Sequence, residues 1–360
     1  MIEEKLKLKI KKNNNMSFSE YMEMVLFDKE YGFYQKNQIF GADGHFTTSP
    51  LISKYFSHCI AKNFIHALKD EKLDNIVEIG AGDASLAVNL LNYLKGKKHL
   101  PKKYYFLDKS HHLVKKQQEV INNLTLNESI DFKWINKYED LPNDAFIITN
   151  ELFDCIPTDL IRHNSGSYQK AYIDESIKIV WKDFDFYSDK SSASLSLPKN
   201  LPNNYVFEFS KEQNYIVDKI NRVIHKAIFL IFDYGYSANE LYINDRMNGT
   251  IACIKDHLSD FNPLSDMGEK DISAFVNFTY LKNLFEKENW DARAFMNQAN
   301  YLLSFDILSD VDINNIDEIE SIKKLIMPNQ MGEIFKVLIL EKNINNMFNY
   351  NFIKNDIIKL

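Results

Sequence analysis

Cysteine and arginine are scarce in this 360-residue chain, and each scarcity removes a class of answers. The three cysteines, Cys59, Cys155 and Cys253, are widely spaced and include no C-x-x-C pair, which excludes a disulfide framework and a zinc knuckle and points to a reducing compartment. Only four of the 43 basic side chains are arginines, and 50 acids bring the formal net charge to -7, so the dense positive field of a nucleic-acid groove is missing. Long apolar runs are also lacking. The longest useful one, Ala227 to Phe232, falls far short of the ~20 residues of a membrane span. No repeat with a period of roughly 20 to 50 residues is visible, which sets aside solenoids and propellers. The lysines at positions 5, 7, 9, 11 and 12 follow Glu3 and Glu4 and precede no apolar stretch, so the N-terminus reads as a frayed tail and the chain as cytoplasmic. His111-His112 has no acid or cysteine at ligand spacing, and no metal is expected.

What is present is an ordinary globular composition, 45% apolar and 26% charged, enough for a sizeable core in two domains or one large domain with insertions. Strands and helices alternate through the middle of the chain. Asn75 to Ile79 is a short apolar run ending in Gly80-Ala81-Gly82. Leu86, Ala87, Leu90, Leu91 and Leu94 then recur at helical spacing. Tyr104 to Leu107 ends in Asp108, with Ser110 as N-cap of a helix to about Ile121. Phe132 to Ile135 and Ala145 to Thr149 add two strands, the second ending at Asn150-Glu151. Past Pro157, polar and aromatic alternation predicts an antiparallel excursion. Ser210 with Gln213 forms a capping box before a helix leading to the strand Ala227 to Phe232, which ends in Asp233-Tyr234-Gly235. Asp271 is the expected cap of a helix to about Asn289. Trp290 to Met296 reads as a sixth strand, Gln298 to Met327 as helical, and Phe335 to Glu341 as a final strand that closes the sheet at its edge.

This pattern predicts an α/β fold with a doubly wound, mostly parallel, seven-stranded sheet. Its segments are a tail and helical cover at 1–72, a core at 73–343 with insertions at about 158–205, 236–270 and 297–332, and a tail at 344–360. Ligands of such sheets bind beyond the carboxyl ends of the strands. The dinucleotide fingerprint wants a third glycine where this chain has Ser85, and an acid nearer than Asp108, which lies 28 residues after Gly80. A nicotinamide cofactor is therefore disfavoured. Glu78 beside the glycine turn suits an ammonium or sulfonium, and Asp108 suits ribose hydroxyls; S-adenosylmethionine carries all three groups.

Several separate blocks share a pattern with one family. Tyr21-Met22 with Asp28-Lys29-Glu30-Tyr31-Gly32-Phe33-Tyr34 is similar to an opening "YM...DPEYGYY". Gly44 to Ser53 is similar to "GDFxTSPEIS", Glu78 to Gly82 to "ELGxGxG", and Asn150 to Pro157 to "NEFFDALP". Asp233-Tyr234-Gly235 matches "DYG", Asp271 to Phe278 is similar to "DLTAHVDF", and Met331-Gly332 with Phe335-Lys336 matches "MGxxFK". From about Phe18 to Lys342 the chain thus resembles the MidA-like class I S-adenosylmethionine-dependent methyltransferases. The mitochondrial members of that family are respiratory complex I assembly factors that methylate an arginine of a core subunit. Leu51, Ala84, Phe275 and Asn277 depart from its pattern, standing for a glutamate, a glycine, a histidine and an aspartate.

The resemblance implies a cofactor site of Glu78, Gly80, Ala81, Gly82, Asp108 and Asn150 with Thr48 and Ser49. It also implies a protein partner exposing an arginine. A guanidinium acceptor must be held by carboxylates and lose a proton, which assigns catalysis to Glu151, Asp154 and Asp233 at adjoining strand ends. Methylation of a small molecule, or a binding role without turnover, are the alternatives.

Overall fold

The computed structural model describes residues 1–36, 39–41, 44, 45, 47–124, 126, 129–345 and 352–360, so Phe46 of the second block and positions 346–351 of the C-terminal tail lie outside the described residues. The chain divides into two compact units. A sheet unit comprises Thr47–Leu152, Asp218–Gly235 and Phe285–Leu360, and an accessory unit comprises Met1–Phe46, Phe153–Val217 and Tyr236–Leu284.

In the sheet unit the expected strands form at β1 (Asn75–Ile79), β2 (Lys103–Leu107), β3 (Asp131–Ile135), β4 (Asp144–Asn150), β5 (Lys226–Tyr236), β6 (Asp291–Asn297) and β7 (Phe335–Lys342). Their order across the sheet is β6-β7-β5-β4-β1-β2-β3. Neighbours from β5 to β3 run parallel, and β7 is antiparallel to both β5 and β6. One expectation is corrected here. The last strand does not close the sheet at its edge but lies between β5 and β6, which takes the edge. The physical reason is its composition: Val337, Leu338, Ile339 and Leu340 are fully buried, and a strand apolar on both faces needs neighbours on both sides.

Alternation in the strands explains how both faces are covered. Phe146 and Phe232 lie on one face, meeting Phe64 and Phe56 of the helix Lys54–Glu71 at ring distances of 5.6 and 5.0 Å. Phe229, three positions earlier, faces the other way and packs on Phe285 at 5.5 Å. Between β1 and β2 runs the helix Ser85–Lys97, and between β2 and β3 the helix His111–Asn122, capped as expected by Ser110 Oγ accepting from Leu113 N at 3.2 Å. The stretch expected to be helical from Gln298 to Met327 splits into Gln298–Ser304 and Ile316–Ile326.

The accessory unit holds the antiparallel excursion. Its strands Asp159–Asn164, Ser167–Ile173, Ile179–Asp183 and Val206–Phe209 pair with one another and with Met16–Ser17. A second small sheet joins Ala252–Lys255, Leu258–Asp260 and Asp271–Ser273. Ser210 Oγ accepts from Gln213 N at 3.2 Å, but the Gln213 amide donates to Phe153 O, so only half of the expected capping box forms. Asp271 caps no helix. It lies in a strand with its carboxyl accepting from Tyr34 OH at 2.9 Å, and the helix Phe278–Lys287 is capped by Asn277, whose Oδ1 accepts from Tyr280 N at 3.0 Å. No helix among the described residues is long and apolar enough to cross a membrane.

Candidate functional site

The carboxyl ends of β1, β2, β4 and β5 meet in the sheet unit and carry most of the expected residues. After β1 the backbone turns through left-handed conformations at Gly80 (φ 74°), Gly82 (φ 54°) and Ala84 (φ 67°). Gly80 N donates to Leu107 O at 2.9 Å, tying the turn to the end of β2. A side chain at Gly80 would be strained twice, by its φ and by Leu152, whose Cδ1 would stand 2.8 Å from the added Cβ. Asp83 Oδ1 accepts from Ser85 N and Oγ at 3.0 and 2.6 Å, so an internal carboxylate already occupies the start of the following helix. A pyrophosphate would meet that charge, which adds to the case against a dinucleotide.

Glu78 is buried, and Tyr104 OH donates to its Oε2 at 2.6 Å. Burial pushes this carboxyl up to about 8, the Tyr104 hydrogen bond opposing the rise and the charges of Asp83 and Asp108 adding to it. Asp108, at the end of β2, accepts from Ser110 N at 2.9 Å and from the Gln117 amide at 3.0 Å; the same amide donates to Gly82 O at 3.0 Å. Burial raises Asp108 to about 6, less than Glu78, because the backbone N–H groups and the Gln117 amide favour its charged form. Gln117 thus joins the glycine turn to the second acid.

At the end of β4, Asn150 Nδ2 donates to Glu151 Oε1 at 3.1 Å, and Tyr234 OH, from β5, donates to Glu151 Oε2 at 2.6 Å. Glu151 itself has φ 54°, fixed by its N–H donating to Phe232 O at 2.9 Å. Asp233 is fully buried and accepts from Leu152 N at 3.2 Å on one oxygen and from Tyr234 N at 2.9 Å on the other. Asn150 Oδ1 is a buried acceptor without a donor among the described residues. Ser49 Oγ donates to Gln298 Oε1 at 3.1 Å in the short helix Ser49–Ile52, which Thr48 precedes, and Asn89 of the helix after the glycine turn donates to Pro50 O.

The structure therefore gathers Glu78, Gly80, Ala81, Gly82, Asp108, Asn150, Glu151 and Asp233 at one end of one sheet. Asp154 belongs to the accessory unit, where it is buried and its carbonyl accepts from Ala274 N. Of the departures from the family pattern, Asn277 is a helix cap. Phe275 packs edge-on against Tyr236 at 5.4 Å, and its N–H donates to Thr250 Oγ1. His257 sits in a tight turn with φ 62°. Sequence reasoning missed Tyr104, Gln117, Leu152 and Tyr234. Leu152 and Tyr234 lie in blocks of the family pattern, and Gln117 left a physical signal: it stands midway between Leu113 and Ile121 on the buried stripe of its helix, where an amide needs polar company.

Comparisons with known proteins bear on the family, the fold and the cofactor. Residues 59–296 match the model of a family described as "Putative S-adenosyl-L-methionine-dependent methyltransferase". The chain is 25% identical over 312 residues to "Protein arginine methyltransferase NDUFAF7 homolog, mitochondrial" of Drosophila melanogaster, covering 78% of this chain and 69% of that protein. It is 26% identical over 370 residues to the Xenopus laevis protein of similar name, covering 91% and 81%. Among solved structures it is similar to a Burkholderia thailandensis protein bound to S-adenosyl-homocysteine, with TM-score 0.85, 25% identity, and 96% and 92% of the two chains covered. The cofactor is S-adenosyl-L-methionine. The residues present fit it: an acid at the end of β2, glycines with positive φ at the turn, and an orphan acceptor on Asn150.

Proposed function

We propose that this chain, which belongs to the S-adenosyl-L-methionine-dependent methyltransferase family matched by residues 59–296, transfers the methyl group to an arginine of a protein substrate. The names of the relatives support the arginine. The observation that carries the reading is the Glu151 carboxylate, held through both oxygens by Asn150 and Tyr234 at the end of β4, next to the strand that bears the glycine turn. The first acceptor to test is the complex I core subunit that the family resemblance implies.

When bound, the cofactor supplies an electrophilic methyl on a sulfonium. The chain's own part is to place the cofactor, to hold the guanidinium in line, and to take its proton. Asp108 would hold the cofactor's ribose hydroxyls, and Asn150 Oδ1 would accept from its ammonium group. Glu151 hydrogen-bonds the guanidinium and accepts the proton that the attacking nitrogen must lose.

Mass spectrometry of arginine methylation in cells with and without the protein tests the substrate class; the reading fails if no arginine-methylated peptide depends on it. Glu151→Gln should leave S-adenosylmethionine affinity nearly unchanged and cut transfer by about the 10² to 10⁴-fold of a lost acid-base group. Equal loss of both would move Glu151 into the cofactor site.

A further inference from the structure

We infer that Tyr234 is a positioning residue for the transfer step, and that Asp233 acts on the reaction only by fixing Tyr234 and Glu151 relative to each other. The inference rests on the reading of Glu151 as the acceptor-side carboxylate.

Glu151 occupies a left-handed backbone position that costs a residue with a Cβ about 1–2 kcal/mol. Asparagine or glycine would sit there more easily, so the backbone offers no reason for a glutamate. The Glu151 N–H to Phe232 O bond carries the β4–β5 ladder one residue past the end of β4, which fixes the Cα and leaves the carboxylate to be aimed by its partners. Those partners are Asn150 Nδ2 on Oε1 and Tyr234 OH on Oε2. Both donors are neutral, so they orient the carboxylate without cancelling the charge that a cationic acceptor needs.

Tyr234 is itself held from two sides. Its ring lies 4.3 Å from that of Phe335, its register partner on β7, and its N–H donates to Asp233 Oδ1 at 2.9 Å. The other Asp233 oxygen accepts from Leu152 N, the residue after Glu151. One fully buried carboxylate therefore bridges the residue that follows Glu151 and the residue that orients it. Removing the Tyr234 hydroxyl deletes the orienting bond on Oε2 and keeps the ring on Phe335. The Glu151 carboxylate then loses that restraint on its last bond, and a small misplacement of a reacting partner costs rate more than binding.

The test uses the purified full chain as wild type, Tyr234→Phe, Glu151→Gln and the double variant. Transfer from tritiated S-adenosylmethionine is measured into protein extract from cells lacking this protein, with cofactor affinity taken by calorimetry. For Tyr234→Phe the expected result is a 10- to 100-fold lower rate at saturating cofactor, with half-saturating cofactor concentration, calorimetric Kd and Tm within experimental scatter of wild type. The double variant should transfer no more slowly than Glu151→Gln alone, because the hydroxyl acts only through that carboxylate. Wild-type transfer by Tyr234→Phe beside an impaired Glu151→Gln overturns this inference and leaves the function standing. So does a double variant that loses the product of the two single effects. Unimpaired transfer by Glu151→Gln overturns the reading of Glu151 and this inference with it.

Discussion

Glu78 gives the fold a pH dependence that a single substitution isolates. Its carboxyl has an ordinary value of 4.5 and is pushed up to about 8, burial being the main cause. A carboxyl raised in the folded state gives stability that is fully present below 4.5 and is lost as the pH rises through 8, because unfolding releases the proton that the folded state keeps. The loss is about 1.4 kcal/mol per pH unit inside that window, on the order of 5 kcal/mol across it.

Glu78→Gln retains an oxygen to accept from Tyr104 OH and abolishes the titration. Its amide N–H groups bring a desolvation cost of about 1–3 kcal/mol, but that cost is the same at every pH. The comparison therefore lies in the slopes. From pH 5.5 to pH 8 the stability of the wild type relative to the variant should fall by about 3 kcal/mol, which moves the difference between their urea midpoints by about 1 M. Titrating groups not coupled to Glu78 are common to the two proteins and cancel. Urea unfolding curves at half-unit pH intervals make the measurement. Parallel stability profiles for the two proteins over that range would refute the reasoning, since Glu78 would then titrate in the folded state much as it does unfolded.

Gly80→Ala should destabilise the protein by about 2–4 kcal/mol, summing left-handed strain and the clash with Leu152, and Leu152→Ala in the same chain should recover part of the loss in thermal unfolding. Asp108→Ala should weaken S-adenosylmethionine binding by about 1.5–3 kcal/mol in calorimetry. Wild-type binding should weaken as the pH falls through about 6, where this carboxyl takes up its proton. Asn277→Ala should cost about 1 kcal/mol of stability through the lost helix cap, whereas Asp271→Asn should leave the helix Phe278–Lys287 intact by hydrogen exchange.

Local patterns in the chain were sufficient for the strands but not for their neighbours. The apolar stretches read from the sequence fall within β1 to β7, and a strand forms at every one. The seat of β7 between β5 and β6 depends on eight register pairs with residues more than a hundred positions earlier, and its unbroken apolar run suits an interior place without naming the neighbours. Asp271 and Asn277 are both residues of the cap type. The choice between them turned on two short strands, Asp271–Ser273 and Val276–Asn277, that propensity does not reveal. In the candidate site the acids were legible because each stands in or just past the carboxyl end of a strand. The neutral side chains that set their behaviour were not, since Tyr104 and Tyr234 look in sequence like ordinary strand aromatics.

The donors that reach each acid set four strand-end carboxyls apart. Glu78 has a phenol beside it, and burial holds its carboxyl far above the ordinary carboxylate range. Asp108 draws on backbone N–H groups and the Gln117 amide, which lets it ionise near neutrality and serve as an acceptor for hydroxyls. Asp233 accepts from the backbone on both oxygens and works as a brace between β4 and β5. Glu151 accepts from side chains at both oxygens, from Asn150 on one and Tyr234 on the other. A carboxylate aimed by side chains can be re-aimed by substitution, and a brace cannot be altered without moving the strands. The division of labour at the strand ends therefore follows from which donors reach each acid, and kinetic variants at Tyr234 and Asn150 will be more informative about the acceptor than variants at Asp233.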